Sequence, residues 1–155
     1  SLTSIDFNLA MNSCTTADHM FADCGNLDHI YFVGWNFQQI KNLNSFLLNC
    51  SKLNQIDISD VDWSTATSLT DMFRGCTSLT RIQCQGLKLP DADMSNIGLD
   101  SCPLNKYNDL DDLVGLLNAL PQSTHNYSFQ IGQTNIAKLS PVQKQIATDK
   151  GWTLV

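Results

Sequence analysis

Glutamate is absent from the 155-residue chain, and all fifteen acidic residues are aspartate. Aspartate favours turns and helix caps, because its short side chain accepts hydrogen bonds from nearby backbone amides. Asparagine acts in the same way. The many Asp and Asn residues therefore predict a chain that turns often.

Basic residues and long apolar runs are also scarce. Nine Lys and Arg are spread along the chain, and the formal net charge is −6. Nucleic-acid binding needs a clustered basic face, so no nucleic-acid partner is expected. No apolar run reaches the roughly 18 residues that span a bilayer, so no membrane insertion is expected.

Recognisable catalytic and metal-binding motifs are missing as well. No nucleophile lies in an elbow motif, and no enzyme activity is predicted. A Ser/His/Asp site assembled across distant segments stays open, since such sites are defined by geometry. The His and Cys residues lack zinc-ligand spacing, and Asp57, Asp60 and Asp62 lack the Gly and distal Glu of an EF-hand loop. No metal or cofactor is predicted.

A repeat of 26 residues runs through the first two thirds of the chain. Four cysteines mark it, at Cys24, Cys50, Cys76 and Cys102. Apolar positions after the first three cysteines keep the same spacing, at Leu27, Leu53 and Leu79, at Ile30, Ile56 and Ile82, and at Phe32, Ile58 and Cys84. One such unit cannot cover its own apolar face, whereas stacked copies bury a continuous core. The repeat predicts an α/β leucine-rich-repeat solenoid.

Two hydrophobic periods lie within each unit. Up to the cysteine, apolar residues recur at i, i+3, i+4 and i+7, which indicates an amphipathic helix. These residues are Ala17, Met20, Phe21 and Cys24, then Leu43, Phe46, Leu47 and Cys50, then Leu69, Met72, Phe73 and Cys76. After the cysteine the period changes to two, which indicates a strand. We therefore predict helix–strand units with a parallel strand ladder.

The two ends of the repeat region differ. Residues 1–5 echo residues 78–82, so the chain opens in the middle of a repeat, and we expect upstream repeats or another module. The pattern weakens after Ala92, where Asn105 and Asn108 replace the expected Leu and Ile. We assign residues 1–107 to the repeats and residues 108–155 to C-terminal capping units of the same solenoid.

Helix and strand signals predict the capping segment in detail. Asn108 can cap a first helix that ends before Pro121. Its first turn is acidic, with Asp109, Asp111 and Asp112. Its buried stripe consists of Leu110, Leu113, Leu117 and Leu120. A strand follows at Tyr127, Phe129 and Ile131. A second helix is predicted to begin with a capping box of Ser140 and Gln143 and with Pro141 at its first position. Lys150 and Gly151 end this helix, and a last strand follows at residues 152–154.

The six cysteines could form disulfides, but their places in the helix stripe favour small buried thiols. Cys14 and Cys84 lie outside the series of cysteines spaced 26 residues apart, so one unusual disulfide pairing stays open. Trp35 and Trp63 occupy bend positions and are expected in the core.

Residues 68–80, with the sequence SLTDMFRGCTSLT, closely resemble the BspA-like leucine-rich-repeat surface proteins and the related repeat of mycoplasma lipoproteins. The matching positions cover roughly residues 1–90. Residues 110–152 look like the tail that closes such repeats in proteins of gut bacteria and their phages. Phe46-Leu47 departs from the usual Met-Phe, and the unit around Cys102 is eroded. The resemblance implies surface display, adhesion or host recognition, but a fold does not determine a function.

The strand alternation predicts which residues face outward. These residues are His29, Tyr31 and Val33, then Gln55, Asp57 and Ser59, then Arg81 and Gln83. Tyr and Arg are common at binding hot spots. We expect a non-enzymatic, monomeric binding module that is secreted or displayed on a bacterial surface and recognises a protein or a glycan. The alternatives are a homo-oligomeric phage tail or fibre module of a virion and a solvated sheet face without a partner. Exposed apolar residues between the strands would favour assembly. A mixture of polar and aromatic residues there would favour ligand binding.

Overall fold

The computed structural model describes residues 2–5, 11–32, 34–104 and 111–155. This part of the chain has a mixed α/β fold. Four parallel strands come first: β1 (Ser4–Ile5), β2 (His29–Tyr31), β3 (Gln55–Asp57) and β4 (Arg81–Gln83). A 3-10 helix at Leu99–Ser101 precedes α1 (Asp111–Ala119), β5 (Ser128–Phe129), α2 (Gln133–Ile136), α3 (Pro141–Asp149) and β6 (Thr153–Leu154). None of the helices in these ranges is long and apolar enough to cross a membrane.

The register of the four-stranded sheet follows the repeat. Ile30 pairs with Ile56, and Ile56 pairs with Ile82, so equivalent residues of successive 26-residue units lie side by side. The central residue of each of these three strands is buried, whereas its two neighbours are half-buried or exposed. The predicted parallel strand ladder is confirmed.

The segment before each strand is not the predicted helix. Residues 18–23, 44–49 and 70–75 are successive turns. Their backbone amides alternate between two kinds of partner. The Met20 amide donates within its unit, to Ala17 O at 3.2 Å, whereas the Phe21 amide donates to Phe46 O of the next unit at 3.0 Å. The backbone thus bonds to the neighbouring unit where a helix would bond to itself.

Left-handed residues explain why no helix forms. Six residues in these turns have positive φ, one unit apart, namely His19, Ser45 and Asp71, and Asp23, Asn49 and Gly75. A left-handed residue interrupts an α-helix, and Asp, Asn and Gly adopt this conformation most readily. The 3.6-residue spacing identified most of the buried positions, but hydrogen bonds between units decide the backbone. The expected use of Asp and Asn in turns is confirmed.

Aromatic residues fill the bends after the strands. The Phe32 ring packs edge-on against Trp35, with 4.8 Å between centroids, and against Phe37, at 5.4 Å. Trp63 packs against Phe37 from the next unit, at 6.0 Å. Both tryptophans are buried, so their predicted place in the core is confirmed.

The cysteines at the repeat position differ in burial. Cys50, Cys76 and Cys102 are buried. The Cys50 thiol donates to Phe21 O and the Cys76 thiol to Leu47 O, each 29 residues earlier and each at 3.2 Å. Cys24 is only half-buried, so its predicted burial is wrong.

Thiol reactivity should follow this burial. All six cysteines are free thiols, and Cys14 is exposed. Burial raises the pKa of Cys50, Cys84 and Cys102 to about 12 and also raises the pKa of Cys76. At pH 8 a thiol with that pKa is thiolate in about one molecule in 10,000. We expect iodoacetamide to label only Cys14 and Cys24 in the folded protein and all six after unfolding, as counted by mass spectrometry.

Two results would contradict this expectation. Rapid labelling of Cys50 or Cys76 in the folded protein would mean that the thiols at the repeat position are open to solvent. Fewer than six labels after unfolding, with full labelling once a reductant is added, would reveal disulfides.

Helix α1 covers the open edge of the sheet. The Ile82 amide of β4 donates to Asp112 Oδ2 of α1 at 2.9 Å. The helix can come this close because residue 115 is glycine. A Cβ at that position would lie only 2.6 Å from Cys84 Sγ. An unpaired strand edge invites further strand pairing, so the carboxylate and the helix protect it. The predicted helix is confirmed over its described residues, while its predicted N-cap, Asn108, and also Asp109 and Leu110 lie outside them.

Helix α3 and the residues after it pack against α1. The predicted capping box is confirmed, since Ser140 Oγ accepts from the Gln143 amide and Gln143 Oε1 accepts from the Ser140 amide. Lys150 Nζ donates to Asn118 O at 2.6 Å and to Leu120 O at 2.8 Å at the C-terminus of α1. An ammonium group at this end of a helix is favourable, because the last carbonyl groups are otherwise unpaired.

The predicted strand at residues 127–131 is confirmed but shorter, as β5. It pairs in parallel with the confirmed last strand, β6. The Met94 amide donates to Ser128 O at 3.0 Å, so the eroded end of the repeat region joins this second sheet.

Candidate functional site

The six candidate residues lie together on the outward side of the strand ladder, which we call the strand face. The pairing of β2, β3 and β4 sets them in two rows, namely His29, Gln55 and Arg81, and Tyr31, Asp57 and Gln83. Neighbouring strands lie about 4.8 Å apart, so each row spans roughly 10 Å. Ser59 is half-buried beside them, and Val33 lies outside the described residues.

Contacts within the strand face hold several of these side chains in place. Tyr31 Oη accepts a hydrogen bond from Gln55 Nε2 at 2.7 Å. The rings of His29 and Tyr31 lie 5.2 Å apart between centroids. Asp57 Oδ1 accepts from the Ser59 amide at 2.9 Å. A binding surface whose side chains are already positioned loses less entropy when a ligand binds.

A cleft of about 690 Å³ opens where the strand face meets α1. One wall carries Arg81 and Gln83 of β4, so the cleft continues the strand face. The other wall is formed by α1 and includes Asp111, Asp112, Val114, Gly115 and Asn118. Sequence reasoning missed this wall. The acidic first turn marks the helix start, but no local signal indicates that the helix packs on β4.

The charges at the cleft are mixed. Among the described lining residues, Arg81 is basic and Asp111 and Asp112 are acidic. Cys84 also lines the cleft, and burial, followed by the charges of Asp112 and Asp57, raises its pKa to about 12. A thiol with such a pKa is a poor nucleophile at neutral pH.

The other polar clusters are small. His125 Nδ1 lies 3.4 Å from Asp91 Oδ2, and the His125 ring stacks on Tyr127 at 5.0 Å. Residues 2–5, 11–32, 34–104 and 111–155 contain no group of three or more His, Cys or Asp residues that could hold a metal ion.

Comparison with known proteins identifies one family. Residues 6–91, more than half of the chain, match the family described as "Mycoplasma protein of unknown function, DUF285". No curated protein and no solved structure matches the chain. The matched region includes β2, β3 and β4 and therefore all six candidate residues, whereas α1 lies beyond it.

Proposed function

Because the chain belongs to the family described as "Mycoplasma protein of unknown function, DUF285", we propose that it is a BspA-like leucine-rich-repeat solenoid. It works as a non-enzymatic binding module that is secreted or displayed on a bacterial surface. Its strand face recognises a protein or a glycan. Two features support the solenoid: the side-by-side pairing of equivalent strand residues, and the turn amides that donate to the next unit.

The composition of the strand face carries the proposal. Its side chains are polar and aromatic, and the hydrogen bond from Gln55 to Tyr31 holds two of them in place. The exposed large apolar residues of the described part are Leu2, Met20, Val142 and Val155, and none lies on the strand face. A permanent assembly surface normally presents a contiguous apolar patch. The observed composition therefore favours ligand binding over assembly into a fibre.

Substitutions on the strand face test the proposal. We expect Tyr31→Ala and Arg81→Ala each to weaken binding by roughly tenfold or more, as at a hot spot. The melting temperature should change little, because Arg81 is exposed and Tyr31 is half-buried. The probes are a printed array of oligosaccharides and a set of immobilised extracellular proteins. Affinity for the strongest binder is then measured by biolayer interferometry.

Arg74→Ala is the matched control for Arg81→Ala. The Arg74 side chain is 68% exposed on a turn segment, and its Nη1 lies 3.6 Å from Asp71 Oδ1. Removing it changes the net charge equally and leaves the strand face intact. Unchanged affinity in both strand-face variants, or an equal loss in Arg74→Ala, would refute binding through this face.

A further inference from the structure

The cleft between β4 and α1 is a concave surface that borders the strand face. Its volume of about 690 Å³ falls in the range of about 300–1,000 Å³ that is usual for small-ligand sites. Elsewhere the strand face is a ladder of short strands. A small ligand therefore buries more of its surface in the cleft than it would on the ladder.

Hydrogen-bonding groups stand on both walls of the cleft. Gln83 and Gln85 line the strand wall, and Asn118 lines the helix wall; all three are exposed. Each amide offers two donor hydrogens and an acceptor oxygen. Groups that both donate and accept, facing each other across a cleft, suit a ligand dense in hydroxyl groups. Val114 and Gly115 also line the cleft and add apolar surface that can contact the C–H faces of a sugar ring.

The edge of β4 argues against an extended peptide. Peptides that bind beside a sheet usually add a strand through main-chain hydrogen bonds. The Ile82 amide at this edge already donates to Asp112 Oδ2 at 2.9 Å. A peptide strand would have to displace α1 before it could pair with β4.

The charges argue against an anionic ligand. The chain has a formal net charge of −6, and the described lining residues of the cleft carry two carboxylates and one guanidinium. Such a field repels sulfated or sialylated glycans and leaves neutral ones unaffected.

From these four observations we infer that the cleft between β4 and α1 is the main binding site for a neutral oligosaccharide, held by Gln83, Gln85 and Asn118. The inference rests on the proposed function and assigns its ligand class and its site. It also gives α1, which lies outside the family match, a direct part in recognition.

An array experiment on the full chain tests the inference. The array carries neutral, sialylated and sulfated oligosaccharides, and a second array carries peptides. We expect binding to neutral oligosaccharides. Gln83→Ala should weaken it roughly tenfold by removing hydrogen bonds, and Asn118→Trp should abolish it by filling the cleft.

Two exposed positions outside the cleft provide matched controls. Gln133→Ala removes an amide on α2, and Val142→Trp adds an indole at a position of α3 that is 79% exposed. Both controls should keep affinity within about twofold, as surface substitutions away from a site do. The melting temperature of Asn118→Trp is measured alongside. If that variant does not fold, Asn118→Ala takes its place, with an expected loss of roughly tenfold.

The outcomes separate the inference from the proposed function. Binding to peptides alone, to anionic glycans alone or to neither array overturns the inference. Neutral glycan binding that survives Asn118→Trp but is lost in Tyr31→Ala places the ligand on the ladder, so the cleft site is wrong and the proposed function stands. Binding that survives both substitutions contradicts both.

Discussion

Leu53→Asp is expected to abolish the folded state. Leu53 is fully buried, at the position that Leu27 and Leu79 occupy in the neighbouring units. A carboxylate there has no partner, and burying it or protonating it costs several kcal/mol. That cost is comparable with the whole free energy of unfolding of a domain, about 5–15 kcal/mol. Because each unit packs on its neighbours, a defect in the middle unit removes support from both sides.

Circular dichroism and urea unfolding measure this effect. Leu2→Asp is the matched control, because Leu2 is 42% exposed and its substitution leaves the carboxylate in water. The control should unfold cooperatively near the wild-type midpoint. A Leu53→Asp protein with the wild-type midpoint would show that the units do not share one core.

Asn135→Leu is expected to lower the free energy of unfolding by about 2–5 kcal/mol. The Asn135 side chain is buried at 1% exposure. Its Nδ2 donates to Cys102 O and to Ile131 O, both at 2.9 Å. Leucine has a similar size but cannot donate, so both carbonyl groups lose this partner in the interior.

Thermal unfolding, followed by differential scanning calorimetry, measures the loss. The expected decrease in melting temperature is on the order of 10 °C. Asn118→Leu makes the same chemical change at an exposed position of α1 and should shift the melting temperature by no more than a few degrees. Equal melting temperatures for Asn135→Leu and the wild type would mean that Asn135 does not anchor the C-terminal segment to the last repeat.

Both substitutions concern contacts between residues far apart in sequence, and such contacts mark where sequence reasoning was incomplete. The spacing of Ile30, Ile56 and Ile82 predicted the parallel register correctly, because identical units can stack in register only one repeat apart. The spacing of Ala17, Phe21 and Cys24 predicted a helix incorrectly. In the structure the Phe21 amide donates to Phe46 O, and no local pattern records that partner.

By itself, the sequence determined the repeat length, the parallel strand ladder, most of the buried positions and the outward direction of the six candidate residues. These features follow from short-range periodicity, because side chains alternate along a strand and equivalent residues recur in every unit. Only the tertiary structure decided the turn backbone and the cleft. Both depend on pairings between distant segments, of which the Ile82 amide and Asp112, 30 residues apart, are the clearest example.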